Sequence, residues 1–191
     1  MTIFFTADTH FWHVSAATRF RKGFESVEHM NEVLVENWNR KVRPGDQVYH
    51  LGDLSFAGKE KTASILSRLN GRKILVLGNH DTKSFLGLKE TDHIERIERM
   101  MEVKMIDPDT SDGYQRIVLC HFPMLTWNRA HHGAWHLHGH CHGSLDGRFD
   151  GKRLDVGVDC HDFAPISYPE VKALMAKKDF VVVDHHKGDA A

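Results

Sequence analysis

Five short stretches of this 191-residue chain carry metal-type donors at close spacing: Asp8-Thr9-His10, Gly52-Asp53, Gly78-Asn79-His80-Asp81, Cys120-His121 and Gly139-His140-Cys141-His142. Carboxylate, imidazole and amide oxygen bind borderline and hard divalent cations. Histidine is also the commonest general acid or base near neutral pH. The chain has 16 histidines, concentrated between His121 and His161, which points to metal chemistry. A His185-His186 pair near the C-terminus is too short to be a purification tag.

Each donor stretch follows a short, β-rich apolar run: Ile3-Phe4-Phe5, Val48-Tyr49-His50-Leu51, Ile74-Leu75-Val76-Leu77, Ile117-Val118-Leu119 and Ala134-Trp135-His136-Leu137. Such runs, bounded by turn residues, predict strands. One strand ending in a polar residue is ordinary. Five of them across one sheet would line their ligands along a common rim, where open α/β sheets place their binding crevice.

Helices are expected between the strands. Ser26 is an N-cap candidate for a helix with Val27, Met30, Leu34 and Trp38 on one face, closed by Pro44-Gly45. A second helix, Lys59 to Leu69, buries Ala63, Leu66 and Leu69 and stops at Asn70-Gly71. Ser167-Tyr168-Pro169-Glu170 spells a capping box for a last helix ending near Lys177-Lys178, followed by an apolar strand, Phe180 to Val183. Leu154 to Val158 predicts one more strand, in a second sheet. No repeat, low-complexity tract or long linker divides the chain, so residues 1–191 are expected to form a single α/β domain.

Lys plus Arg number 25 against 26 Asp plus Glu, so no global field steers the chain toward nucleic acid or anionic lipid. The local groups Arg19, Arg21, Lys22 and Arg40, Lys41, Arg43 are expected to be solvated surface. Cys120, Cys141 and Cys160 are odd in number and lack CxxC spacing, which argues against a disulfide framework. No stretch approaches the ~20 apolar residues of a membrane span. The N-terminus enters a strand without a basic leader or cleavage pattern. A cytoplasmic protein is expected.

The ordered set Asp-x-His, Gly-Asp, Gly-Asn-His-Asp, His, Gly-His-x-His resembles the calcineurin-like metallophosphoesterase superfamily, and the resemblance runs from Asp8 to His142. Gly-Asp alone would carry nothing, whereas Gly78-Asn79-His80-Asp81 is specific even in isolation. The size matches the minimal bacterial and phage members of that superfamily. The implied fold is a four-layer α/β/β/α sandwich of two mixed β-sheets flanked by helices. The resemblance implies two divalent ions, with Asp8, His10, Asp53 and His142 on one and Asn79, His121 and His140 on the second, Asp53 bridging both. Mn²⁺ is the favoured ion, with Fe²⁺ and Zn²⁺ also suited to such donors. It further implies that His80 protonates the leaving oxygen or stabilises the transition state, and that Asp81 orients it. Capping of the following turn is the competing role for Asp81.

Two dications about 3.5–4 Å apart repel strongly, and a bridging carboxylate and hydroxide screen that repulsion. Counting +4 for the ions, −2 for Asp8 and Asp53 and −1 for hydroxide leaves a net charge of about +1, suited to a phosphodiester monoanion. The expected reaction is in-line attack of the bridging hydroxide on a phosphate ester, possible nucleotides included, with diesters favoured. A phosphomonoesterase, a nuclease, and a metal-binding scaffold without turnover are the alternatives. No basic track advertises a nuclease. Scaffold relatives typically lose the catalytic histidine or a ligand, whereas every such position is filled here. Metals alone leave the natural substrate and the oligomeric state open.

For each of Trp12, His13, Asn128, Arg129, His131 and His132, contact with a substrate phosphate or base and plain loop surface are competing readings. His138 is expected on the strand face opposite His136, in the core or behind a ligand, and His50 is similarly ambiguous. The Cys141 thiol should point away from the ligand pair.

Overall fold

A computed structural model describes residues 1–81, 93–145, 148 and 151–183. The His185-His186 pair lies outside the described residues. Strands β1 (Ile3–Thr6), β2 (Gln47–His50), β3 (Arg72–Val76) and β4 (Arg96–Glu98) run parallel. A short antiparallel strand, β9 (Ile166–Ser167), completes this sheet in the order β4-β3-β2-β1-β9. The second sheet has the order β5-β6-β7-β8, formed by Met100–Ile106, Tyr114–Cys120, Trp135–His138 and Arg153–Asp155. Here β5 and β6 are antiparallel, while β6, β7 and β8 are parallel.

Side-chain alternation explains how the sheets stack. Phe4, Val48 and Leu75 face one side, where they pack on Met30, Leu34 and Trp38 of α1 (Val27–Lys41) and Ile65 and Leu66 of α2 (Lys59–Arg68). Phe5, Tyr49, Ile74 and Val76 face the other side and meet Met101, Met105, Ile117, Leu119, Trp135 and Leu137 of the second sheet. Strands buried on both faces read as continuous apolar runs, which is how these appear in the sequence. The result is the sandwich of two mixed sheets with flanking helices that the motif resemblance implies. Helix α3 (Tyr168–Ala176) adds Val171 and Met175 to the inter-sheet core.

The caps form where the sequence predicts them. The Ser26 hydroxyl accepts from the His29 amide, and Ser167 with Glu170 makes a reciprocal capping box. No helix among the described residues is long and apolar enough to cross a membrane.

Several expectations change. The five ligand-bearing strands do not share one sheet: β1, β2 and β3 belong to the first, β6 and β7 to the second. Because each set is parallel, its donors still leave at one end, and a bridge from Ala7 to Gly157 ties the two rims together. Phe180 to Val183 is irregular and joins neither sheet, leaving Phe180 and Val183 exposed. A strand needs a free edge to pair with, which a local apolar run does not supply. The strand expected over Leu154 to Val158 stops at Asp155, and Val158 opens a 3₁₀ turn. Strands β4, β5 and β9 and a π-helical turn, Ala16–Phe20, were not anticipated.

Candidate metal centre

Asp8, Asp53 and Asn79 lie just beyond the ends of β1, β2 and β3, and His121 and His140 just beyond β6 and β7. The turns that carry them are bent sharply. Asp8, His10, Asp53, His140 and His142 all have positive φ, between 47° and 71°. Asn, Asp and His tolerate that region better than other residues, and such backbone clusters at functional sites. Gly52 has φ 97°, and a Cβ there would sit 2.6 Å from both Gly78 N and His121 Nδ1. The turns therefore approach closely enough for donors from two sheets to converge.

Two groups result. Asp8, His10 and His142 form one, and Asp8, Asp53 and His121 the other, with the donor atoms of each within 4.8 Å of one another. Asp53 Oδ2 lies 3.7 Å from His10 Nε2 and 3.6 Å from His121 Nε2, so one oxygen faces both sides. Asn79 Oδ1 joins the second group at 2.9 Å from both His121 Nε2 and His140 Nδ1. All the ligand candidates named from the sequence come together. The geometric groups share Asp8, whereas the family pattern shares Asp53.

Acceptor-only partners fix which nitrogen carries the lone pair in the rings of His121 and His142. His121 Nδ1 is 2.7 Å from the Leu51 carbonyl and must donate to it, so a neutral His121 turns the Nε2 lone pair toward Asn79 Oδ1 and Asp53 Oδ2. His142 Nδ1 is 2.7 Å from Asp159 Oδ2, leaving Nε2 as the donor. His10 Nδ1 is 3.0 Å from His13 Nδ1. Burial, then the Arg21 charge, pushes the His10 pKa down to about 3, so its ring is the neutral, ligating form at pH 7.

Whether a cation fits can be judged from the polar atoms without partners. Asp8 Oδ1 and His10 Nε2 are buried and have no hydrogen-bond partner, while Asp8 Oδ2 accepts from the His140 amide at 2.9 Å. Buried lone pairs left unmatched are costly. Burial pushes the Asp8 carboxyl up to about 6, the response of a carboxylate with too little positive charge nearby. Carboxylate, imidazole and amide donors without a thiolate suit a divalent cation, so the residues fit a metal.

His80 stands at the mouth, 48% exposed, with Nε2 4.0 Å from Asp53 Oδ2. Its ring lies against Phe56, 4.7 Å between centroids. The hydrogen bonds of Asp81 match neither of its expected roles: they run back to the preceding turns. Its carboxylate accepts the backbone N–H groups of Asp53 (2.8 Å), Leu54 (3.0 Å) and Gly78 (2.8 Å), fastening the β2 turn to the β3 turn. Adjacency in sequence does not aim its side chain at the His80 ring.

Two residues that sequence reasoning did not place at the site support it. Arg21, expected on the surface, is buried. Its guanidinium forms a two-pronged pair with Asp159, at 2.8 and 2.7 Å, and donates to the carbonyls of Asp8 (2.5 Å) and Thr9 (3.0 Å). Arg21 and Asp159 lie 138 residues apart, and no local pattern signals the pair. His142 and Arg21 hold the Asp159 carboxyl well below the usual range despite its burial.

The other histidines separate cleanly. His50 is buried beside Trp38, with Nε2 3.0 Å from Thr9 Oγ1. The rings of His136 and His138 are 5.4 Å apart on the same face, not opposite faces, as the two-residue strand period requires. His13 stacks on Phe56 beside the ligands, at 3.7 Å. Trp12 packs against the α1–α2 core beneath the Lys61 ammonium. Asn128 and Arg129 line a separate cleft of about 400 Å³ with Glu102, Lys104 and Arg116. His132 lies in a second one with Ser111 and Tyr114, and His131 rests on His132. Burial pushes the Cys141 thiol up to about 11, so it stays protonated at neutral pH.

Residues 1–188 match the model of the calcineurin-like phosphoesterase family. The chain belongs to that family. Metal-dependent hydrolysis of phosphate esters is the family chemistry, and the donor groups above are its candidate metal ligands. The Gene 66 protein of Mycobacterium phage D29 is 26% identical over 86% of this chain and 92% of its own length. An uncharacterized protein of Methanocaldococcus jannaschii, MJ1445, is 41% identical over 81 residues, 41% of this chain and only 46% of that protein. Among solved structures, AQ665 of Aquifex aeolicus, a protein of unknown function, is similar with a TM-score of 0.67 and 26% identity, over 91% of this chain and 98% of its own.

Proposed function

We propose that the chain is a dinuclear metal-dependent phosphodiesterase, with Asp8, His10, Asp53 and His142 around one ion, Asn79, His121 and His140 around the other, and Asp53 between them. The observation that carries this reading is the pair of buried atoms without hydrogen-bond partners, Asp8 Oδ1 and His10 Nε2, 3.8 Å apart, with His10 Nε2 facing the same Asp53 oxygen that also faces His121. Divalent cations held there supply positive charge to the phosphate oxygens and acidify a water into a nucleophile.

The chain's own groups supply the rest. Imidazole and amide ligands subtract no charge from the centre, and only Asp8 and Asp53 do. That balance suits a monoanionic diester better than a monoester dianion. His80, half-exposed and beside Asp53, holds a proton for the departing oxygen. Asp81 and Arg21 keep the turns in register by holding their backbone amides and carbonyls. Mn²⁺ is the ion we favour.

The test strips the chain of metal, reconstitutes it with Mn²⁺, counts ions by elemental analysis and measures bis(p-nitrophenyl) phosphate against p-nitrophenyl phosphate. Two ions per chain and faster diester cleavage, abolished by chelation, are expected. Cleavage of the monoester alone would overturn the diester preference. A fully metallated chain inert on both would overturn hydrolysis in favour of a binding role.

A further inference from the structure

A cleft of about 520 Å³ opens directly onto His10 and His142. Its walls are the rings of His13 and Phe20 with the side chain of Ala16, and its floor is the Arg21–Asp159 pair. At this volume it exceeds a phosphate group and falls within the usual range for small organic ligands, ~300–1,000 Å³. A molecule lying in it is within reach of whatever the ligands hold, so its occupant is the organic arm of the ester.

The chemistry of the floor decides which arm. Arg21 is the cleft's cation, and its N–H groups are committed: Nε and one Nη to Asp159, the same Nη to the Asp8 carbonyl, the other Nη to the Thr9 carbonyl and Met30 Sδ. A guanidinium has five N–H donors. All five are spent inside the protein, and the face of the group packs over the Phe163 ring at 5.6 Å. Asp159 in turn accepts from Arg21 and His142 and contributes negative charge beside them. The floor therefore offers no donor to a second phosphate, and its carboxylate disfavours one. The walls are the opposite. Phe20 ends the π-helical turn with 74% of its surface exposed, so its ring is open to a molecule lying in the cleft. His13 is held rigid by its stack on Phe56, 3.7 Å between centroids and 10° from parallel.

We infer that this cleft is a subsite for a flat, uncharged aromatic ring on the alcohol arm of the phosphate ester. The inference rests on the phosphoesterase reading and narrows it from esters in general to aryl-bearing ones, against sugar, glycerol or doubly phosphorylated arms. Phe20 and His13 grip the faces of the ring, as aromatic pairs do when offset or tilted.

Binding tests the subsite without turnover. Calorimetric titration of the metal-loaded chain with phenyl phosphate, methyl phosphate and glycerol 2-phosphate compares arms at equal charge. Phenyl phosphate should bind at least about tenfold more tightly than the other two. Phe20→Ala, at an exposed position that the fold does not need, should shrink that ratio below about threefold. Equal affinities, or tighter glycerol 2-phosphate binding, would overturn the subsite. So would failure to bind any of the three.

Turnover separates this inference from the reading beneath it. Methyl and phenyl p-nitrophenyl phosphate share a leaving group and differ only in the retained arm. Cleavage of both at equal kcat/KM leaves the phosphoesterase standing and removes the ring preference. Selective phenyl phosphate binding in a metallated chain that cleaves neither keeps the cleft and removes hydrolysis.

Discussion

Asp81→Ala is the sharpest probe of how the ligand turns are built. The Asp81 carboxylate takes three backbone N–H groups, from Asp53 and Gly78 at 2.8 Å and Leu54 at 3.0 Å. Hydrogen bonds to a charged acceptor contribute ~1.5–3 kcal/mol each, a gross ~4–9 kcal/mol for three. Asp81 is only partly buried, so water re-satisfies some of those donors. The net loss should be about 2–4 kcal/mol, or about 5–15 °C in melting temperature for a chain of this size. Asp81→Asn keeps one acceptor oxygen and turns an NH₂ toward a backbone donor, so it should fall between wild type and Asp81→Ala.

Urea unfolding of the metal-free chain reads this loss without contributions from ion binding. Because Asp53 and Asn79 ride on the two turns that Asp81 joins, metal affinity should drop as well, by ~10–100-fold, the usual cost of losing a group that orients a ligand. A carboxylate acting only through the His80 ring gives a different result: the unfolding midpoint and metal content stay at wild-type values, and only turnover of poor leaving groups slows. That outcome would refute the clamp.

Asp53→Asn should lose activity and at least one ion while the fold survives, and elemental analysis finding two ions retained would remove its bridging role. His80→Ala should keep both ions yet slow turnover by ~10²–10⁴, with a smaller defect for nitrophenol esters; metal loss, or equal impairment on every leaving group, would contradict a proton donor. Asp159→Asn should weaken metal binding by ~10–100-fold, measured by competition with a chelator dye, because His142 loses the carboxylate that fixes its ring. The same variant tests acid stability. Asp159 is held below its ordinary 3.8, so the unfolded chain protonates first as pH falls, and the stability the folded carboxylate contributes is complete above that value and lost below it. Acid titration of unfolding should show a shallower decline below pH 3.8 in Asp159→Asn than in wild type, and identical slopes would refute the pair's contribution.

What the sequence disclosed follows the range over which each feature is encoded. The ligands were legible because each follows the end of a strand within four residues, so apolar run and donor sit in one short window. Helices α1 and α3 were legible because Ser26 and Ser167 cap them through contacts three residues away. The Arg21–Asp159 pair was invisible for the opposite reason: it joins the first ligand turn to the segment after β8 across 138 residues. Phe180 to Val183 has strand composition, but pairing depends on an edge set by the other strands. Asp81 shows a third limit. Neighbouring positions in a turn point apart, so closeness to His80 in sequence said little about what its carboxylate holds.

The left-handed backbone at Asp8, His10, Asp53, His140 and His142 bears on how any of these variants is interpreted. Each such residue stores roughly 1–3 kcal/mol that the surrounding structure must offset. Asp and Asn tolerate that conformation through their short polar side chains, whereas Ala does not share the preference. An Asp53→Ala change would therefore combine the loss of a ligand with a shift in backbone preference, and reduced metal binding could come from either. Asn at the same position keeps the size and the turn while removing the charge, so metal loss in Asp53→Asn reports on the carboxylate itself. At Gly52 the reasoning reverses. Its φ of 97° and the 2.6 Å approach of a Cβ to Gly78 N and His121 Nδ1 mean that Gly52→Ala should open the rim and displace the His121 ring without removing a donor. Metal loss there would tie affinity to the closeness of the two turns, which is the property the strained backbone maintains.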